Sequence, residues 1–245
     1  FTSVNKIFEA AFRKNWDRPA ISNYHGVTLH YRDVARRIEK LHIMFEECGL
    51  KKGDKVALCS RNHANWAVAF LASMTYGAVP VPLLHEFKSS NIHHLVNHSE
   101  AKILFVDDVI WEGLTETEMP DVHAIIQVNA FKLLYAAEDG IRSAREHLNE
   151  LFGRKYPNAF TPESINYYED SAEELAIINY TSGTSGFSKG VMIPYRAIFS
   201  NMEFAKKVLP GMDHTKNIVS MLPSAHMYGL MFELLYELSV GAHVH

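Results

Sequence analysis

Apolar positions along the chain follow two rhythms. Val34, Ile38, Leu41, Phe45 and Cys48 recur at helical spacing and Gly49 follows them, which predicts a helix over 31–48 with a glycine stop. Ahead of it, 20–24 and 27–30 flank a His25-Gly26 turn and read as a short hairpin. Residues 55–59 form a short apolar run, predicted as a strand. Asn62 is placed to cap a helix over 63–76 that Gly77 ends. Residues 78–83 read as a second strand, and Pro80 and Pro82 place it near a sheet edge or let it leave the sheet early, because proline cannot donate to a ladder. The alternation continues with a helix over 89–98, strands over 102–106 and 122–128, and a helical stretch over 131–152 interrupted near Gly140.

Gly153, Pro157, Asn158 and Pro162 then break the pattern and mark a joint. Beyond it come a strand over 175–180, a loop of small residues over 181–190, a strand over 191–194, a helix over 196–207 and a strand over 217–222. An apolar helix over 227–240 follows, and 242–245 read as a strand just beginning. Strand and helix at this rhythm predict an α/β fold, a layered αβα sandwich with mostly parallel strands. The expected division is a first α/β subdomain over 1–152, a joint over 153–170, and over 171–245 the start of a second subdomain. The last strand is expected to leave a bare edge at Val244, which reads as a sign of truncation.

Composition removes some classes of function. The formal net charge is −4 and Lys and Arg are scattered, so no basic footprint for nucleic acid is present. The longest apolar stretch, 68–84, is split by Gly77, Pro80 and Pro82 and does not read as a membrane span. No secretory leader is read at Phe1. The two cysteines, Cys48 and Cys59, are too few for a disulfide framework. They read as buried thiols in a reducing, cytoplasmic setting. His94 and His98 stand four apart on a predicted helix, a spacing that can hold zinc, but no third ligand accompanies them in sequence.

The stretch that carries chemistry is Thr181-Ser182-Gly183-Thr184-Ser185-Gly186-Phe187-Ser188-Lys189-Gly190, between two apolar strands. Its glycines let backbone amides converge, its hydroxyls add donors, and Lys189 adds a full positive charge, which together suit a polyphosphate. It is not a Walker A loop, because Lys189 follows Ser188 and precedes Gly190. The plainer alternative is a polar hairpin loop. The order of residues resembles the signature T-S-G-T-T-G-x-P-K-G of the adenylate-forming (ANL) superfamily, which includes acyl-CoA synthetases, luciferases and the adenylation domains of peptide synthetases. Thr181, Ser182, Gly183, Thr184, Gly186, Lys189 and Gly190 match it, and Ser185 is a conservative change. At roughly 6% per residue type, seven matches coincide by chance on the order of 10⁻⁹ per start point. Ser188 departs from the family's proline, and Tyr195 stands where many members carry His.

Other segments share the resemblance in the right order: Val27-Thr28-Leu29-His30-Tyr31, Gly53-Asp54-Lys55-Val56-Ala57, Gly77-Ala78-Val79-Pro80-Val81-Pro82-Leu83 and Ser99-Glu100-Ala101-Lys102. Leu222-Pro223-Ser224-Ala225-His226-Met227-Tyr228-Gly229 resembles the motif bordering the family's carboxylate pocket. The resemblance covers essentially the whole chain and is nearest to the N-terminal portion of long-chain fatty-acid–CoA ligases.

The resemblance implies an acid–thiol ligase. A carboxylate attacks the α-phosphate of ATP, and the acyl-adenylate passes to a thiol such as coenzyme A. Thr181, Ser182, Gly183, Thr184, Ser185, Gly186 and Lys189 would hold the phosphates. Lys189 would neutralise the departing pyrophosphate, Thr184 would touch Mg²⁺, and His226 would line the acyl site. The helix bearing Leu230, Phe232, Leu234 and Leu235 is ordinary core or the wall of an alkyl tunnel. A fragment of such an enzyme is expected to be inactive alone. The alternatives are a truncated or degenerate nucleotide-binding or interaction module, docking a partner on the open sheet end at Val244, and an aryl- or amino-acid-activating relative.

Overall fold

The computed structural model describes residues 1–181, 189–221 and 227–245. In chain order its elements are α1 (Val4–Lys14), β1 (Pro19–Ser22), β2 (Thr28–His30), α2 (Tyr31–Glu47), β3 (Lys55–Cys59), α3 (Ala64–Tyr76), β4 (Val79–Pro82), α4 (Ser89–His98), β5 (Ala101–Val106), α5 (Asp108–Gly113), β6 (Ala124–Gln127), β7 (Leu133–Ala136), α6 (Asp139–Glu146) and α7 (Leu148–Lys155). They continue with β8 (Leu175–Thr181), β9 (Lys189–Pro194), α8 (Tyr195–Val208), β10 (Asn217–Ile218), α9 (Met227–Leu230), α10 (Tyr236–Ser239) and β11 (His243–Val244). A π-helical turn, Met231–Leu235, joins α9 to α10.

Strands β4-β3-β5-β6-β7 form one sheet, parallel except for its last pair. Successive residues of a strand point to opposite faces. Val56, Leu58, Ile103, Phe105 and Ile126 join one apolar cluster with α2 and α3, while Ala57, Cys59, Leu104, Val106 and Ile125 join another with α4. Both faces are covered, which is why these strands read as continuous apolar runs rather than alternating ones. The layered α/β class is thus the observed one. The proline-bearing β4 lies at the edge, as expected.

Several elements differ from the sequence reading. Residues 133–136, expected to be helical, form β7, which pairs antiparallel with β6 through Ala124↔Ala136 and Ile125↔Tyr135. A four-residue apolar run carries too little periodicity to separate helix from strand, and here the edge of β6 decides. The cap of α3 is His63, whose side chain accepts from the Asn65 amide, rather than Asn62. Strand β10 ends at Ile218, and Val219 and Met221 beyond it are exposed. Helices α1 and α5 have no counterpart in the sequence reading.

The largest correction concerns the last strand. Strand β11 is not bare: it lies between β10 and β1, parallel to both, in a second sheet of order β10-β11-β1-β2. The phenol of Tyr31, at the start of α2, donates to the carbonyl of Ala242 at 2.6 Å and fixes the approach to it. The open sheet end proposed as a docking edge at Val244 is therefore occupied by the hairpin β1–β2.

Cys48 and Cys59 are both free and buried. Burial pushes the Cys48 thiol up to about 12 and the Cys59 thiol higher still. Because the thiolate is the nucleophile, native protein at pH 8 should react with a thiol reagent at least about tenfold more slowly than protein in guanidinium. Rapid titration of either thiol without denaturant would contradict this packing.

Candidate functional site

Strands β8 and β9 form an antiparallel hairpin in register from Leu175↔Pro194 to Thr181↔Lys189. Thr181 and Lys189, which flank the loop of the 181–190 motif, thus stand opposite each other at the open end of a ladder. Ser182, Gly183, Thr184, Ser185 and Gly186 lie outside the described residues, as does His226. Lys189 is exposed, the first residue of β9.

The two strands have different surroundings. Ala176, Ile177, Ile178 and Tyr180 of β8 are buried, and Ile178 and Tyr180 pack with α4 and the central sheet. Lys189, Gly190, Val191 and Met192 of β9 are exposed. So β8 anchors the hairpin to the core and β9 presents Lys189 outward. Gly190 permits this close approach: a Cβ there would lie 3.1 Å from the Tyr180 ring and 3.3 Å from Ile178. The Tyr180 hydroxyl in turn lies 2.7 Å from Nδ1 of His98, at the end of α4. Burial raises the Tyr180 phenol above its ordinary range, so it stays protonated. This pair fixes the base of the loop, and no local sequence signal announces it, since the partners meet only through the fold. It also gives His98 a structural partner; its ring lies 5.9 Å from that of His94. Among the described residues no three His, Cys, Asp or Glu side chains converge as a metal site would require.

Tyr195 follows β9 directly. It is buried, and its hydroxyl accepts from Nδ2 of Asn5 at 3.2 Å, tying α8 to α1. Tyr195, at the position where the resemblance implies His, is thus part of the core. Downstream, Leu230, Leu234 and Leu235 are buried in the main core. The Glu233 carboxylate accepts from the Met221 amide at 2.9 Å and the Ser220 hydroxyl at 3.2 Å. It thereby clasps the chain just before the motif that contains His226.

The sequence model of the AMP-binding enzyme family matches residues 8–245. The chain belongs to this family. Among curated relatives, the long-chain-fatty-acid–CoA ligase of Salmonella typhimurium is 25% identical over 98% of this chain and 46% of its own. Long-chain-fatty-acid–CoA ligase 5 of Rattus norvegicus is 29% identical over 82% and 30%. The chain thus spans less than half the length of these AMP-binding relatives. Among solved structures, a long-chain-fatty-acid-CoA ligase from Archaeoglobus fulgidus superposes with a TM-score of 0.76 at 22% identity, over 99% of this chain and 46% of that one. ATP-bound MatB from Rhodopseudomonas palustris gives 0.76 at 22%, over 99% and 44%. These likenesses establish the AMP-binding fold for the chain. No helix among the described residues is long and apolar enough to cross a membrane.

Proposed function

We propose that the intact enzyme activates a carboxylic acid with ATP and Mg²⁺ to an acyl-adenylate, then transfers the acyl group to a thiol such as coenzyme A. A fatty acid is the acid class best supported, by the names of the curated relatives. The observation that carries the reading is the motif 181–190 set on a hairpin whose exposed Lys189 stands across the ladder from Thr181. A carboxylate is a poor acyl donor because its oxygen leaves badly; as a mixed anhydride with AMP it leaves readily. The chain's share of this chemistry is positioning and charge neutralisation. Lys189 is the cation placed to stabilise charge growing on pyrophosphate. Thr181 to Gly186 are proposed to hold the phosphates, with Thr184 on Mg²⁺ and His226 bordering the acid. A cytoplasmic setting is part of the same proposal.

The test is carboxylate-dependent ATP–pyrophosphate exchange by protein from the complete reading frame, across acids from acetate to long-chain fatty acids, benzoate and amino acids. Exchange confined to fatty acids of one length class is expected. Lys189→Ala should lower kcat/KM for ATP on the order of 100-fold while changing the dissociation constant of the acid less than about twofold. Equal losses in both would remove Lys189 from the proposed role. Absence of exchange with every acid would overturn the ligase reading.

A further inference from the structure

Away from the hairpin β8–β9, a cavity of about 410 Å³ opens between α2, the start of α7 and the turn that joins β6 to β7. Three cations line it, Arg37, Lys40 and Arg145, and no acidic side chain does. Some other cations pair with carboxylates, as Arg32 does with Asp17 and Arg196 with Glu173. Asp33, one turn earlier on α2, offsets part of the Arg37 charge, but the hydrogen bonds that orient the three cavity cations go to neutral acceptors. Arg37 donates to Oδ1 of Asn65 at 2.5 Å, Lys40 to Oδ1 of Asn149 at 2.9 Å, and Arg145 through Nε to the carbonyl of Phe131 at 2.8 Å. Phe131 takes a left-handed φ of 54° to present that carbonyl, a conformation that costs free energy for a residue with a side chain. All three cations are half-buried, and at the base lie the buried Leu41, Met44 and Ile126.

Like charges gathered in a recess repel one another, and a low-dielectric wall strengthens the repulsion. Burial first, and then the charges of Arg36, Arg145 and Arg37, hold the Lys40 ammonium below the usual lysine range. What relieves such a cluster is an external oxyanion, and two guanidinium forks beside an ammonium suit several oxygens on one centre. We infer that this cavity is a second ligand site, which takes the phosphate group of a small molecule bearing further bulk on the apolar base. A lipid headgroup offers the same chemistry, but a recess favours a ligand that enters singly.

The test uses chain carrying Lys189→Ala, so that the phosphate-loop motif contributes little, with inorganic pyrophosphate and phosphatidylcholine vesicles containing phosphatidic acid as probes. Pyrophosphate should protect Lys40 from acetylation at least about fivefold, read by mass spectrometry, while Lys216 on the exposed surface is acetylated at an unchanged rate. In calorimetry, Lys40→Gln and Arg145→Gln should each weaken pyrophosphate binding about tenfold, and Lys40→Arg should retain most of it. Vesicle binding that needs Lys40 and Arg145, without any effect of pyrophosphate, would overturn the small-molecule assignment and make the cavity a headgroup site. No protection of Lys40 by either probe, or binding indifferent to both Gln variants, would overturn the site itself. The protection measurement needs no variant at the cavity, so it decides even where a substitution there impairs folding.

Discussion

Alanine at Asp170 should lower the unfolding free energy by about 3 kcal/mol, among the largest losses expected from a single polar side chain here. Asp170 is buried, yet it lies 166 residues from the helix it serves. Its Oδ1 accepts from the Ser3 hydroxyl at 2.7 Å and the Asn5 amide at 2.8 Å, and its Oδ2 from the Val4 amide at 2.9 Å. These amides open α1, where backbone donors have no partner within the helix and a negative charge is favourable. Helix α1 in turn buries Val4, Phe8 and Phe12 completely. Without the carboxylate, two buried amides lose their acceptor and α1 loses its tether to the segment before β8. Urea denaturation of Asp170→Ala beside the exposed control Glu112→Ala reads this directly. Midpoints that coincide for the two variants would show that Asp170 does not hold the helix.

Glutamine at Glu237 should do the opposite, increasingly as pH rises from 4.5 to about 8. Glu237 is buried in α10, and among the described residues no other residue offers either carboxyl oxygen a hydrogen bond. Burial, and then the charge of Glu233, push its carboxyl up to about 8 from an ordinary value of 4.5. The unfolded chain therefore releases this proton first as pH rises. Its contribution to stability is fully present below pH 4.5, declines as pH rises, and is lost once pH passes the folded value near 8. Glu237→Gln removes that dependence. It should leave the melting temperature nearly unchanged at pH 4.5 and stabilise by about 2–4 kcal/mol at pH 9. A gain of equal size at both values would mean that shape, rather than charge, is what the substitution changes.

The two residues also show where sequence reading stops. The central strands were legible as short apolar runs, α2 by its helical spacing, and α3 by its polar start and the Gly77 stop. Helix α1 carries a helical pattern too, in Val4, Phe8, Ala11 and Phe12 behind Ser3, but the residue that fixes it, Asp170, lies at the far end of the joint. Strand β7 was misread because four apolar residues fit either period, and pairing with β6 settles the matter. The 181–190 motif was visible as a string of residue types. That Thr181 and Lys189 face each other, and that Tyr180 rests on His98, depends on strand pairing and on a helix brought alongside. The cationic cavity is illegible for the same reason: Arg37 and Lys40 lie on one helix, while Arg145 arrives from another past a strand that the pattern did not reveal.

The position of β11 between β10 and β1 sets an order on biosynthesis. Ile21 pairs with Val244, so the hairpin β1–β2 leaves the ribosome with one edge unfilled. At about 5–20 residues per second, the roughly 220 residues in between take on the order of 10–45 s to appear. The five-stranded sheet, whose parallel strands follow one another closely in sequence, can assemble during that interval. The second sheet cannot, and its nascent edge stays available to chaperones, or to the same edge on a neighbouring nascent chain, until synthesis reaches the strand that covers it.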